Sequence, residues 1–181
     1  MIRGSAVIAT ALALLAGCAA PPPEPGAFVP FVQVLGETAG RPFECTGYDP
    51  VSDTCESVGV LRRSGDDLGA EAFLVLPIAG QPVTLRFTGR GVIRNDRACG
   101  VPGSYATEVT SEADQAFKDV FTEVMGVIFE SMGELCTAYY RGPDGSYVTE
   151  ATDEAGQVLP GGRDTAHFFA RQPRLRPMSP N

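Results

Sequence analysis

Reactive side chains are few in this 181-residue chain, which has one histidine and five cysteines. Because His167 is the only histidine, any serine or cysteine hydrolase built on this chain must use it as the base. Ser104 lies in a segment that matches the G-x-S-x-G turn of a catalytic serine poorly. His167 precedes two phenylalanines, a context that favours a packed or surface side chain. We therefore predict no catalytic residue.

Carboxylates cluster in two places. Asp49, Asp53 and Glu56 fall within one short segment, but the D-x-D-x-D-G spacing of a calcium loop is absent. Asp153 and Glu154 are adjacent, and two carboxylates in a loop do not define a glycosidase without the right separation. Both clusters are interpreted as solvated acidic turns, and we predict no metal site.

The N-terminus has the composition of an export signal. Residues 1–3 contain one positive charge, and residues 6–16 form an apolar run that is too short to cross a bilayer, which takes about 20 residues. The run ends in Leu15-Ala16-Gly17-Cys18. This tetrapeptide resembles the lipobox of bacterial lipoproteins, and the resemblance is confined to about the first 18 residues.

The lipobox resemblance implies where the protein resides. Residues 1–17 would be a cleaved signal peptide, and Cys18 would carry a diacylglyceryl thioether and an acylated amino group. Several acyl chains anchor a protein firmly in a membrane. An Asp after the lipidated cysteine retains such proteins in the inner membrane, whereas this chain has Ala19. We therefore expect the periplasmic face of the outer membrane, with the inner membrane as the less favoured alternative.

Composition sets the domain plan and excludes one class of partner. We expect a lipidated, proline-rich tether at residues 18–27, a single domain at residues 28–171, and a disordered tail at residues 172–181. The formal charge of −8 argues against nucleic acid, which requires a basic face.

The four cysteines that remain after lipidation indicate two disulfides, because an even number is typical of exported chains. Three pairings are possible, and the one with the shortest loops joins Cys45 to Cys55 and Cys99 to Cys136. The sequence has no C-x-x-C pair. Metal binding by these thiols is therefore disfavoured, and we expect no cofactor.

Several segments have the pattern of antiparallel strands. Residues 82–88 alternate between apolar and polar side chains, and residues 72–78 precede them. Residues 136–141 and 146–151 flank a Pro-Asp-Gly turn, which predicts a hairpin. Its rings, Tyr139, Tyr140 and Tyr147, are expected to pair across the hairpin rather than to form an exposed partner surface. Residues 28–35 contain Pro30 and predict an edge strand, or a short strand beginning at Phe31.

One long helix is predicted from about residue 111 to residue 135, with Ser111 and Asp114 as its capping box. Apolar residues at three- and four-residue spacing give it one broad buried face. That face is assigned to the core in preference to a partner surface. Its members are Ala113, Phe117, Val120, Phe121, Val124, Ile128, Met132 and Leu135.

These features predict an α+β domain, with a mainly antiparallel sheet of four to six strands, one long helix packed on it and two disulfides. The function predicted is that of a membrane-anchored periplasmic lipoprotein, a non-catalytic binding or envelope-scaffold module. Its partner would be an envelope protein or peptidoglycan. The alternative is a periplasmic enzyme, or an enzyme inhibitor, presented from the membrane.

Overall fold

The computed structural model describes residues 24–78, 80–131 and 133–178. Its first half contains β1 (Phe28–Val29), α1 (Phe31–Glu37), β2 (Phe43–Thr46), β3 (Thr54–Cys55), β4 (Ser57–Ser64), β5 (Asp67–Ile78) and β6 (Gln81–Arg94). Its second half contains β7 (Arg97–Gly100), β8 (Ala106–Val109), α2 (Gln115–Ser131), β9 (Cys136–Arg141), β10 (Tyr147–Thr152), β11 (Val158–Phe169) and β12 (Arg174–Leu175).

Eight of these strands close into an antiparallel barrel. Their order is β9-β10-β11-β2-β4-β5-β6-β7, and β7 pairs with β9 to complete the ring. The closing seam is short, since it consists of the pairs Ala98–Thr137 and Cys99–Cys136. Two further strands join the same sheet, β1 on the edge of β9 and β8 on β6. A closed barrel leaves no long open edge for unwanted pairing.

The predicted α+β class with four to six strands is therefore wrong, because the main sheet has ten strands and is closed. The local predictions of two hairpins are confirmed. Strands β5 and β6 pair along their whole length, and β9 pairs with β10 across the Pro-Asp-Gly turn. In that turn Asp144 and Gly145 have φ of 54° and 75°, a conformation that short polar residues and glycine tolerate best.

Helix α1 packs into one end of the barrel. Its Phe31 and Val34 are fully buried, and the Phe31 ring lies 5.4 Å from that of Tyr139. The expectation of a strand at residues 28–35 is wrong beyond Val29. Pro30 ends the short strand β1 and immediately precedes the helix, a position where its fixed φ and missing N–H are tolerated.

Helix α2 lies at the opposite end of the barrel and is shorter than predicted. Asp114 caps it by accepting the N–H groups of Ala116 (2.9 Å) and Phe117 (3.3 Å). The Ser111 hydroxyl instead accepts the Thr84 N–H, so the predicted capping box is wrong. Where β5 and β6 extend beyond the barrel, α2 packs on them through Phe117 and Phe121.

The predicted broad core face of α2 is correct only at its N-terminal end, where Ala113, Phe117 and Phe121 pack on the sheet. Three residues assigned to it, Val120, Val124 and Ile128, are 61%, 51% and 43% exposed, and Val127 beside them is 63% exposed. No described residue of α2 is buried. Met132 lies outside the described residues, and Leu135 follows the helix and precedes β9.

The structure contains two disulfides, as predicted: Cys45–Cys55 and Cys99–Cys136. This is the pairing that the shortest-loop argument favours. Cys45 and Cys55 are fully buried with Val58 on the outside of the barrel. The Cys99–Cys136 bridge joins β7 to β9 at the closing seam, and it therefore clamps the barrel shut rather than clamping a helix onto a sheet.

The C-terminal segment departs from its predicted disorder as far as Met178. Strand β12 pairs in parallel with β3, and Met178 donates its N–H to the carbonyl of Val75. Arg176 forms an ion pair with Glu56, 3.0 Å apart. These contacts cover the buried Cys45–Cys55 cluster, which explains why the segment is ordered.

Candidate functional site

The barrel interior contains a cavity of about 370 Å³ that is partly open to solvent. Strands β2 and β9 are separated in the ring by β10 and β11. The hydroxyl of Tyr139 on β9 nevertheless donates to the carboxylate of Glu44 on β2, at 3.0 and 3.1 Å. This hydrogen bond must therefore cross the interior, and it places Glu44 and Tyr139 in the cavity wall.

Most of the cavity wall is apolar or glycine backbone. Side chains at alternate positions of a strand point to the same face, and this places Ala70 and Ala72 of β5 on the inner face with Leu68. Cys99, which belongs to the closing β7–β9 seam, also lines the cavity. Small residues on long strands leave the interior open, whereas a full set of large side chains would fill an eight-stranded barrel.

Glu44 is the principal polar group of the cavity. Burial raises its pKa from 4.5 to about 7, against the opposing effect of the hydrogen bond from Tyr139. The negative charge of Asp164 raises it further. Burial and the neighbouring Glu44 carboxylate likewise raise the pKa of Tyr139 well above its usual value. Glu44 thus changes between neutral and charged near neutral pH.

Asp164 adds a second acidic group beside Glu44. It occupies β11 opposite Thr149 of β10, and burial raises its pKa. Thr149 lines the cavity and donates its hydroxyl to the Asp164 carbonyl at 3.4 Å. Above neutral pH these two carboxylates disfavour a bound anion next to Glu44. Glu71 and Arg90, which carry opposite charges, also line the cavity.

Tyr105 limits the cavity at the α2 end. Its ring lies against the backbone of Gly89 and Gly100, where a Cβ atom at either glycine would collide with the ring. Phe129 of α2 packs against the same ring, with centroids 5.5 Å apart. Tyr105 thus depends on two glycines and one helix residue for its position at this end of the cavity.

A second, smaller cavity adjoins the first near α1. Its volume is about 170 Å³, and Glu44 and Leu61 line both cavities. Residues 38–42, which connect α1 to β2, form part of its wall. Glu44 therefore lies where the barrel interior meets a pocket under an irregular segment.

The cavity combines a hydrogen-bonded carboxylate with a largely apolar wall. Its only cysteine, Cys99, is consumed in a disulfide. Among the described residues that line it, none is a histidine, lysine or serine. Glu44 can exchange a proton and accept a hydrogen bond, and the apolar wall can bury a small organic molecule.

His167 lies outside this cavity. It pairs with Cys45 across β11 and β2, and its ring lies 5.2 Å from that of Tyr48 on the outside of the barrel. Burial lowers its pKa. Ser104, the serine weighed as a nucleophile, donates to the Val101 carbonyl at 2.7 Å and accepts the Arg90 N–H. His167 thus packs against an aromatic ring, and the Ser104 hydroxyl is bonded to backbone groups.

Of the three carboxylates weighed for calcium, Asp49 and Asp53 are engaged within their own loop, and Glu56 pairs with Arg176. Asp49 accepts the Val51 N–H (2.9 Å) and the Ser52 hydroxyl (2.6 Å). Asp53 accepts the Tyr48 hydroxyl at 3.0 Å. These bonds stabilise the turn between Cys45 and Cys55. Their occupied oxygens support the interpretation of this loop as structural.

One group of side chains in the described part of the chain has the geometry of a metal site, formed by Cys99, Glu134 and Cys136. Both sulfurs belong to the seam disulfide. A metal requires free thiolates as ligands, so the oxidised protein offers only the glutamate there.

The three tyrosines of the β9–β10 hairpin divide between two environments. Tyr139 and Tyr147 are buried and meet edge to face at 6.1 Å, whereas Tyr140 contacts Phe28 on the outside. Sequence reasoning grouped the three together and missed Glu44. The available signal was its position next to Cys45. If the disulfide lies outside the barrel, strand alternation places the adjacent glutamate inside.

The predicted signal peptide, residues 1–17, and the predicted lipidation site, Cys18, lie outside the described residues. Within the described ranges, the helices are too short or too polar to cross a membrane. No protein-family model matches the chain, and neither curated proteins nor solved structures gave a match.

Proposed function

We propose that this chain is a lipid-anchored, non-catalytic binding module of the bacterial envelope, and that its barrel interior holds a small apolar ligand. The observation that carries the proposal is the cavity of about 370 Å³ with Glu44 and Tyr139 in its wall. Its volume falls within the usual range for small-molecule sites, about 300–1,000 Å³. Eight-stranded barrels are wide enough to hold one small ligand.

The chemistry of the wall defines the ligand class. Glu44 already accepts a hydrogen bond from Tyr139, and its remaining lone pairs can accept another from a ligand. Asp164 adds negative potential. The preferred ligand is therefore an apolar molecule with an N–H or O–H donor, and an amine in particular. A carboxylic acid would be repelled once Glu44 is charged.

The lipobox supports the anchoring part of the proposal. Cys18 would be held in the outer membrane, and the proline-rich stretch at residues 19–26 would connect it to the domain. Gly26 donates its N–H to the Arg141 carbonyl at 3.0 Å, which joins the tether to the α1 end of the barrel. The α2 end then lies farthest from the anchor, where an envelope protein or peptidoglycan has access.

The ligand site is tested with N-phenyl-1-naphthylamine, an apolar fluorescent amine. We expect saturable fluorescence enhancement, and at least tenfold weaker binding to Ala151→Phe, because Ala151 lines the cavity. Ala116→Phe, at an exposed position of α2, is the matched control and should bind normally. Equal binding by both variants, each with native circular dichroism, would place the probe elsewhere and refute the interior site.

The anchor is tested separately with Cys18→Ala. We expect this variant to accumulate as an unprocessed precursor without covalent lipid, as detected by mass spectrometry and membrane fractionation. Normal maturation of the variant would refute lipidation and leave the ligand site unaffected.

A further inference from the structure

A groove on the outside of the barrel has a larger volume than the interior cavity. It measures about 660 Å³ and borders the Cys99–Cys136 disulfide. The rings of Phe28 and Tyr140 line it and meet edge to face, with centroids 5.8 Å apart. Cys99 lines both the groove and the interior cavity, so the seam separates two distinct spaces.

Arg97 differs from the other partly buried arginines in lacking a side-chain partner. Four arginines of the described chain are partly buried. Three of them form ion pairs: Arg86 with Glu71, Arg163 with Glu150 and Arg176 with Glu56. The side chain of Arg97, in contrast to these three, makes neither a hydrogen bond nor an ion pair with any described residue, although it lines the groove. Removing a guanidinium from water without a partner is unfavourable.

The carboxylates of the groove are, in contrast, already used by the fold. Glu134 forms an ion pair with Arg94. Glu154 accepts the N–H of Glu134 at 2.9 Å, and Asp153 accepts the N–H of Gln157 at 2.8 Å. Asp153 and Glu154 keep their negative charge, because these bonds come from neutral amides, and Arg97 is the one arginine of the groove whose side chain has no ion-pair partner among the described residues.

We propose that this groove binds a carboxylate-bearing molecule, whose acid group pairs with Arg97 and whose apolar body packs on Phe28 and Tyr140. The planar guanidinium matches a carboxylate in a two-point hydrogen bond. Aromatic rings at the same site supply the buried contact that makes such a pair selective. This site is separate from the barrel interior and does not depend on the function proposed for it.

The ligand class is tested by calorimetric titration of the full chain in detergent. The probes are N-acetylphenylalanine and its primary amide, which differ only in the charge of one group. We expect the acid to bind at least tenfold more tightly than the amide. Equal binding, tighter binding of the amide, or no binding of the acid at millimolar concentration would overturn the proposal.

The assignment to Arg97 is tested by substitution. Arg97→Met should abolish the preference for the acid. Arg97→Lys should retain part of it, because lysine keeps the positive charge but lacks the paired N–H donors of the guanidinium. Arg171→Met is the matched control, since Arg171 is exposed and lines none of the cavities described above. A preference that survives in Arg97→Met would overturn the assignment. If Arg97→Met does not fold, Arg97→Lys and the acid–amide comparison still decide the question.

Discussion

The two helices occupy opposite ends of the barrel and differ in what holds them. Helix α1 has seven residues, and its Phe31 and Val34 are fully buried. Helix α2 has seventeen, and none of its described side chains is buried. Length and amphipathic spacing therefore do not indicate which helix contributes more to the core. Most helical stability comes from tertiary packing, and here the shorter helix has more of it.

The two helices also differ in how their charged side chains are paired. Glu37 ends α1 and accepts both Arg141 nitrogens at 2.6 Å. The Arg141 pair holds its pKa at about 2, with help from the Tyr147 hydroxyl. On α2, the carboxylates of Glu123 and Glu130 have no ion pair or hydrogen bond with the described residues. Helix α1 is thus fixed by packing and by charge, and α2 mainly by its contact with the extended hairpin.

The largest effect is expected from Phe31→Ala. Phe31 is fully buried against Tyr139, and truncation of a buried phenylalanine lowers the free energy of unfolding by about 3–5 kcal/mol. Urea unfolding measures the change. Val32→Ala is the control on the same helix, because Val32 is 44% exposed. A loss below 1 kcal/mol for Phe31→Ala would mean that α1 does not close this end, and equal losses in both variants would contradict the assigned faces.

Removal of the seam disulfide tests how the α2 end is held. Cys99→Ala with Cys136→Ala should lower the free energy of unfolding by about 2–4 kcal/mol, since the cross-link restricts the unfolded chain. The Cys45–Cys55 bridge spans 10 residues, whereas the Cys99–Cys136 bridge spans 37. On the chain-entropy model, removal of the bridge with the shorter loop should therefore lower the free energy of unfolding by about 1 kcal/mol less. The reverse order would show that burial of the Cys45–Cys55 cluster outweighs loop length.

Local patterns in the sequence predicted local structure well. Alternation identified the β5–β6 hairpin, and the Pro-Asp-Gly turn identified the pairing of β9 with β10. Closure of the barrel depends on two residue pairs between β7 and β9, which are separated by β8 and α2. No local pattern specifies such a long-range contact, so the strand count and the fold class were wrong.

The same limit explains the errors at α2 and at Glu44. Three-four spacing places Val120 and Val124 on one side of a helix, but it does not show whether a sheet covers that side. Glu44 belongs to a four-residue strand, Phe43–Thr46, too short to show its buried face. Its role became visible only when β9 placed Tyr139 across the barrel from it.

The pH dependence of stability separates the interior glutamate from the helix glutamate. Glu44 has a folded pKa of about 7, above its usual 4.5, so the folded state binds the proton more tightly than the unfolded state. Stability should therefore fall as pH rises from about 4.5 to 7, by on the order of 2–3 kcal/mol in total. Glu37 has its pKa lowered to about 2, and its contribution is lost as pH falls below about 4.5.

Urea unfolding of the native chain and of Glu44→Gln between pH 5 and pH 8 measures the interior contribution. The amide preserves the acceptor for Tyr139 and cannot ionise, so the loss above pH 5 should largely disappear in this variant. Glu37→Gln should leave that loss in place. An unchanged slope in Glu44→Gln would show that another group titrates in this range.

The smallest effect is expected on the exposed side of α2. Val124 is 51% exposed, and Val124→Lys should change the free energy of unfolding by less than about 0.5 kcal/mol, as surface substitutions usually do. Phe121→Ala, on the face that packs against the sheet, is the matched control and should cost more. A loss above about 1.5 kcal/mol at Val124 would show that this side of α2 is covered in solution. Because a second copy is one such cover, sedimentation of the native chain and the Val124→Lys variant would then decide whether self-association buries it.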